Sequence, residues 1–213
     1  CEVEKDEISD IQYGYIRQSF SYKNWKNVEI SLAGEFQIQN GALALEAVNQ
    51  LRKLGLSLPN EAVYAGMKEA KWVGRFTVMS QNPLVILDGA HNPQAAEALR
   101  KSLELYFKGK KLYYVFGVFQ DKDYKKIIEL TAPLAEHIIT VETPDNPRAL
   151  PAEELKKQVE KINASVETGE SIEAAIEKNL SYMGAEDVLV VFGSLSFLGI
   201  AAKVLQGGGR KNG

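Results

Sequence analysis

The sequence predicts an α/β protein: a Rossmann-like, mostly parallel sheet flanked by helices, preceded by the end of a truncated N-terminal domain. Three observations carry this. From about residue 84 onward, apolar runs of four to six residues alternate with amphipathic stretches of helical period, the pattern of βαβ units. The apolar runs do not alternate with polar residues, as expected of strands covered on both faces. The first 70 residues lack this rhythm and offer only two or three elements, too few to close a core of their own.

In chain order, Val28–Leu32 reads as a strand. Asn40–Leu54 reads as a helix with Leu43, Ala47, Val48, Leu51 and Leu54 on one face. Asn60–Lys68 is a second helix, begun by the pair Pro59-Asn60. A boundary falls near Glu69–Val73, dividing the chain into 1–70, the remnant of a larger domain with its linker, and 71–205, one α/β domain. Within the latter, LVIL (Leu84–Leu87) leads to a helix carrying Ala95, Leu99, Leu103 and Tyr106. LYYVFG (Leu112–Gly117) leads to one with Ile127 and Leu130. HIITV (His137–Val141) leads, through a Pro-containing loop, to one with Leu155, Val159 and Ile162. Ala164–Val166 leads to one with Ile172, Ile176 and Leu180, and VLVVFG (Val188–Gly193) to a last helix. Residues 206–213, rich in glycine, read as a flexible tail.

Composition narrows the function. Among 213 residues, 45% are apolar and 25% charged, with a net charge of -3, so neither nucleic acid nor a membrane surface is an expected partner. One cysteine, Cys1, excludes a disulfide within the chain and suits a reducing, cytoplasmic setting. Two histidines, His91 and His137, cannot build a His-rich zinc site. No apolar run reaches the roughly 18 residues of a membrane span. The acidic start CEVEKDEISD is unlike a signal peptide and lacks an initiator methionine, which reads as an internal cut.

The strongest local signal is LVILDGAHNP, Leu84 to Pro93. Asp88 falls where a buried strand ends and a helix is about to begin, the edge of a parallel sheet where ligands bind. Gly89 allows a tight turn, and His91 or Asn92 can cap the helix that Pro93 opens. The alternative is a plain strand-to-helix turn with Asp88 as a cap. Asp121, Lys122 and Asp123 also follow a strand; they are either a solvated turn capping the next helix or an anion site. Gly193-Ser194 ends the last strand, where a hydroxyl and free N–H groups bind anions or simply cap a helix. Arg148, in a Pro-flanked loop, is a further anion-site candidate, and His137 reads as structural.

WVGR, followed thirteen residues after its arginine by the aspartate of DGAHNP, resembles the opening of the C-terminal domain of folylpolyglutamate and dihydrofolate synthases, members of the Mur ligase superfamily. LAGEFQIQNGALAL (Leu32–Leu45), VFGVFQDKD (Val115–Asp123), PRALPAEEL (Pro147–Leu155) and VFGSLSFLG (Val191–Gly199) agree with that family in order. Phe36 stands where histidine is common.

The resemblance implies a Mur ligase C-terminal type of fold and an ATP-dependent addition of L-glutamate to folate through an acyl phosphate. Dihydropteroate is an open second acceptor. It places Arg75 on the ATP phosphates, Asp88 on the ribose hydroxyls, His91 beside the nucleotide and Asn40, otherwise a helix N-cap, on the adenine. On the functional reading Lys122 would receive the glutamate carboxylate or steady the loop that does, and Ser194 would bind a carboxylate or phosphate of the substrates, with no catalytic residue assigned in this chain. The implied partners are folate, L-glutamate and ATP, the protein being a monomer. The family's P-loop and Mg2+ ligands have no counterpart here: no G-x-x-x-x-G-K-[ST] occurs, nor any G-x-G-x-x-G. The chain alone is therefore expected to be inactive. The alternatives are another Mur-superfamily amide ligase or a non-catalytic nucleotide-binding module.

Overall fold

The computed structural model describes residues 3–208, so Cys1 and the end of the glycine-rich tail lie outside the described residues. The chain divides into two compact units, Cys1–Trp72 and Val73–Gly213.

In the first unit, β1 (Ile8–Gln12), β2 (Gln18–Tyr22) and β3 (Trp25–Ile30) form an antiparallel sheet with β2 at its centre. Helices α1 (Gln37–Lys53) and α2 (Asn60–Glu69) follow. Phe20, Tyr22, Trp25, Val28 and Ile30 of the sheet pack with Ile38, Ala42 and Leu45 of α1. This unit therefore does have a core, contrary to the expectation from element counting. The polar strand sequences of β1 and β2 concealed two of its elements.

The buried face of α1 also differs from the expected one. Leu43, Leu51 and Leu54 are 49%, 40% and 78% exposed, while Ile38, Ala42, Leu45 and Glu46 are buried. The reason lies at Gly41, where a Cβ would sit 2.8 Å from the Phe20 ring, so the helix comes closest to the sheet at Gly41 and Ala42 and turns Leu43 outward. The buried Glu46 carboxylate is satisfied by the Tyr22 hydroxyl and the Lys23 ammonium, both at 3.1 Å, and by the Gln50 amide at 2.7 Å. Those partners, Gln50 first, hold its pKa down to about 2.

The second unit holds a sheet of order β4-β5-β9-β6-β7-β8 among the described residues. Its strands are β4 (Thr77–Gln81), β5 (Leu84–Asp88), β6 (Leu112–Phe116), β7 (His137–Thr140), β8 (Val166–Thr168) and β9 (Val188–Phe192). All pairs are parallel except the edge pair β4–β5, and β4 was not foreseen. The crossover helices are α3 (Pro93–Tyr106), α4 (Tyr124–Thr131), α5 (Ala152–Val159) and α6 (Ile172–Tyr182), and α7 (Leu195–Gly208) follows β9.

Strand alternation explains the two layers. Val85, Leu87, Tyr113, Val115, Leu189 and Val191 pack with Ile172 and Ile176 of α6 and Phe197, Leu198 and Ala201 of α7. Their alternates turn to the other face, where Phe192 stacks on Phe116 at 4.8 Å and meets Tyr114 edge-on at 5.2 Å. Because β9 enters between β5 and β6, the loops leaving these three strands gather at one edge of the sheet. A crevice at such an edge is where ligands bind in open α/β folds.

Candidate functional site

At the end of β5 the chain makes a tight turn. Asp88 is only 4% exposed, its Oδ1 accepting the N–H of Ala90 and its Oδ2 that of Phe76, each at 2.8 Å. Gly89 donates its N–H to the Gly74 carbonyl at 2.8 Å. No side chain fits at Gly89: a Cβ would stand 2.4 Å from Leu195 Cδ2 and 2.9 Å from the Gly74 oxygen. Asn92, not Asp88, caps α3, its Oδ1 taking the Ala95 N–H at 2.8 Å. Burial raises the Asp88 pKa to about 6, opposed by the two backbone N–H groups and by the charges of Arg75 and His91.

His91 turns its Nδ1 onto the Gly89 carbonyl at 2.6 Å. A carbonyl only accepts, so Nδ1 carries the proton and Nε2 of the neutral ring is an acceptor. The ring forms one wall of a cavity of about 210 Å3, shared with Lys122, Arg148, Ser194 and Ser196 and with the apolar side chains of Phe119 and Leu195.

The loop after β6 brings Phe119 and Lys122. Its charged triplet divides its work: Asp123 caps α4 by accepting the Lys126 N–H at 3.2 Å, and Asp121 lies 3.5 Å from Arg148 Nη1 and 4.0 Å from Lys122 Nζ. Lys122 is left to the cavity. Arg148 arrives from the loop after β7, which is tied to the β6 loop by the Phe119–Ala149 bridge and by the Gln120 N–H to the Arg148 carbonyl at 2.9 Å. Its guanidinium lies 4.6 Å over the Phe119 ring.

After β9, Gly193 adopts φ +113, and a Cβ there would lie 2.3 Å from the Gly117 oxygen, so glycine is required. Ser194 is 2% exposed and its Oγ accepts the Ser196 N–H at 3.2 Å, an N-cap for α7. The cavity thus combines two cations, an imidazole, two hydroxyls and a helix N-terminus, with the Asp121 carboxylate beside the cations. That is an anion-binding arrangement.

Three of the residues singled out from sequence, His91, Lys122 and Ser194, are brought together here, with Arg148 beside them. Arg75 and Asp88 sit nearby on the turns around β4 and β5 but do not line the cavity. Arg75 makes no ion pair among the described residues, whereas the Asp88 oxygens are engaged by backbone. Asn40 belongs to the first unit. It lies in the first turn of α1, three residues beyond the helix start, and donates to Gln37 Oε1 at 2.9 Å. The N-cap expected of it falls instead at Phe36, which makes no side-chain cap. His137 bonds Ser165 Oγ at 2.9 Å and Glu167 at 3.3 Å, away from this edge. Phe119 and Ser196 were missed; each lies two residues beyond a strand-ending glycine or Ser194, within motifs already noted.

Among the described residues no three His, Cys, Asp or Glu side chains converge as metal ligands. No helix of the described residues is long and apolar enough to cross a membrane.

The six-stranded, mostly parallel sheet is that of a Mur-ligase-like C-terminal domain. The family model for the Mur ligase glutamate ligase domain matches residues 74–195, and the chain belongs to that family. Its relatives lie in the folylpolyglutamate and dihydrofolate synthase branch. A dihydrofolate synthase/folylpolyglutamate synthase of Bacillus subtilis is 31% identical over 194 residues, 89% of this chain and 44% of that protein. A probable bifunctional folylpolyglutamate synthase/dihydropteroate synthase of Haloferax volcanii is 33% identical over 170 residues, covering 79% of this chain and 20% of that one. The Mycobacterium tuberculosis folylpolyglutamate synthase structure, complexed with ADP and AMPPCP, superposes with a TM-score of 0.82 at 26% identity, over 94% of this chain and 48% of the other. The chain spans less than half the length of each of these relatives.

Proposed function

We propose that this chain supplies the glutamate-binding part, and one side of the nucleotide site, of an ATP-dependent ligase that joins L-glutamate to a folate carboxylate. The observation that carries the reading is the convergence of Lys122, Arg148, His91 and Ser194 on one cavity at the sheet edge. A dicarboxylic amino acid asks for two cationic or N–H-rich donor groups, one for each carboxylate, and a way to present its amine. Lys122 and Arg148 offer the charges; Ser194 and the first amides of α7 offer donors.

In this reading ATP transfers its γ-phosphoryl group to the folate carboxylate, with ADP leaving. The glutamate amine then attacks the acyl carbon, the C–N bond forms, and phosphate departs with the mixed-anhydride oxygen. The amine must be neutral to attack, so the ammonium form gives up a proton; the His91 Nε2, an acceptor at the cavity wall, is suited to take it. Arg75, which makes no ion pair among the described residues, is suited to the phosphates. Glutamate is the incoming amine whether the acceptor is folate or dihydropteroate, so one cavity serves both. Positioning supplies most of the acceleration in such a scheme. Magnesium would balance the triphosphate charge when bound.

The test is product formation by the full-length protein. With tetrahydrofolate, L-glutamate and ATP it should release ADP only when both other substrates are present and add one glutamyl unit by mass. The 213-residue chain alone should release none. Glutamate-independent ATP hydrolysis, or a different amino acid preferred over glutamate, would overturn the reading.

A further inference from the structure

Resting on the reading that the cavity takes L-glutamate, we infer that Asp121 is a specificity-determining residue. It trims the charge of the cavity to suit a zwitterionic amino acid, against a plain dianion of the same shape. Lys122 and Arg148 bring two positive charges to the cavity wall. Asp121 does not line the cavity, but its Oδ2 stands 3.5 Å from Arg148 Nη1 and 4.0 Å from Lys122 Nζ. Among the described residues no other carboxylate comes within ion-pair distance of either cation. Two positive charges and one negative leave the group with a single positive charge. Glutamate arrives with two carboxylates and an ammonium, so its single net negative charge matches. Glutarate, with the same carbon chain and both carboxylates but no amine, carries two negative charges and asks for both cations uncompensated.

The backbone around Asp121 fixes its place. The Lys122 N–H donates to the Phe119 carbonyl at 3.2 Å, closing a tight turn with Gln120 and Asp121 at its centre. That turn is zipped to the β7 loop. The Leu150 N–H donates to the Val118 carbonyl at 3.0 Å, the Gln120 N–H to the Arg148 carbonyl at 2.9 Å, and Gln120 Nε2 to the Pro147 carbonyl at 3.1 Å. Arg148 is held by other partners as well: its N–H donates to Asn146 Oδ1 at 3.1 Å, and its guanidinium is seated over the Phe119 ring. Its position therefore does not depend on Asp121. Contacts of 3.5 and 4.0 Å are long for hydrogen bonds but well within the reach of Coulomb attraction. What Asp121 adds is charge. The other acid of the triplet, Asp123, is spent on capping α4.

The test uses the full-length protein and glutarate, which has no amine to form the amide bond and so competes with L-glutamate without reacting. The quantity read is the KM for glutamate divided by the inhibition constant of glutarate, at one low ionic strength. Loss of the carboxylate favours both ligands, and glutarate more. Asp121→Asn should therefore raise the ratio roughly 3- to 30-fold, the effect of one unit charge several ångströms away in a medium between water and a protein surface. The rise should shrink as salt is added. Asp121→Glu keeps the charge and should leave the ratio near its wild-type value. The Asp121 side chain is 46% exposed, and should Asp121→Asn still not fold, Asp121→Ser carries the same prediction. If removing the carboxylate shifts both constants in parallel and leaves the ratio unchanged, Asp121 is only a brace for Arg148 and the inference is overturned. A ratio that falls, or a rise that Asp121→Glu shares, overturns it too. The parent reading fails separately. A wild-type glutamate KM in Lys122→Met removes glutamate from the cavity, whereas a raised one beside an unchanged ratio in Asp121→Asn removes only the role of Asp121.

Discussion

The guanidinium of Arg148 lies 4.6 Å over the ring of Phe119, so a cation from the β7 loop is seated on an aromatic from the β6 loop. Stacking fixes the fork at the cavity wall, with Nη1 3.5 Å from Asp121 Oδ2 and the other N–H groups left to a ligand. Lysine cannot reproduce this, being a point charge without a planar face. Arg148→Lys should therefore raise the KM for glutamate by about 5- to 30-fold, equivalent to roughly 1–2 kcal/mol of cation–π and bidentate contact. Steady-state kinetics of the full-length protein checks it, and Phe119→Leu should show a smaller change in the same direction.

Ser194 is both an N-cap and a cavity wall. Ser194→Ala removes the acceptor of the Ser196 N–H, which should lower stability by about 0.5–2 kcal/mol. Because the hydroxyl also faces the cavity, the KM for glutamate should rise while that for ATP changes little. Thermal melting and substrate titration separate the two effects.

Asp88 should give the second unit a pH signature. Folded, it keeps its proton to about pH 6; its ordinary value is 3.8. Folding therefore takes up a proton between those values. The contribution is full below about pH 3.8 and is lost as pH rises through 6. Melting curves of the wild type should thus lose stability between pH 4 and 6 relative to Asp88→Asn, by on the order of 1–3 kcal/mol. Parallel curves for the two proteins would contradict a buried, proton-holding Asp88.

Amide exchange addresses the first unit. Phe20, Tyr22, Val28 and Ile38 are buried in a core of their own, and the amides of β2 and the buried side of α1 should be protected in the isolated chain. Exchange of β2 and α1 as fast as an unstructured peptide would contradict that core.

Four of the parallel strands were legible because each is a largely apolar run between helices of 3.6 period; the fifth, β8, was expected at Ala164–Val166 but runs Val166–Thr168 and is polar after its first residue. The edge strand β4 was not, since Thr77–Gln81 is half-buried and follows no apolar run. The α1 face was misread for a physical reason: Leu43, Leu51 and Leu54 outweigh Ala42 and Gly41 in hydrophobicity, yet the Phe20 ring needs the small residues. Lys122 and Ser194 were legible from their places just after strands. That they face one cavity depends on β9 entering between β5 and β6, which no local pattern encodes. The occupation of both Asp88 oxygens was equally hidden, because Phe76 reaches it from the antiparallel side.

The most direct test of the account is the KM for L-glutamate of Lys122→Met in the full-length protein. Methionine keeps the length of the stem and removes the charge that lines the cavity beside Ser194 and Arg148. The KM for glutamate should rise by roughly 10- to 150-fold, with the KM for ATP within about 2-fold of wild type. A glutamate KM that stays at the wild-type value, or a defect confined to ATP, would contradict the assignment of this cavity to the incoming amino acid.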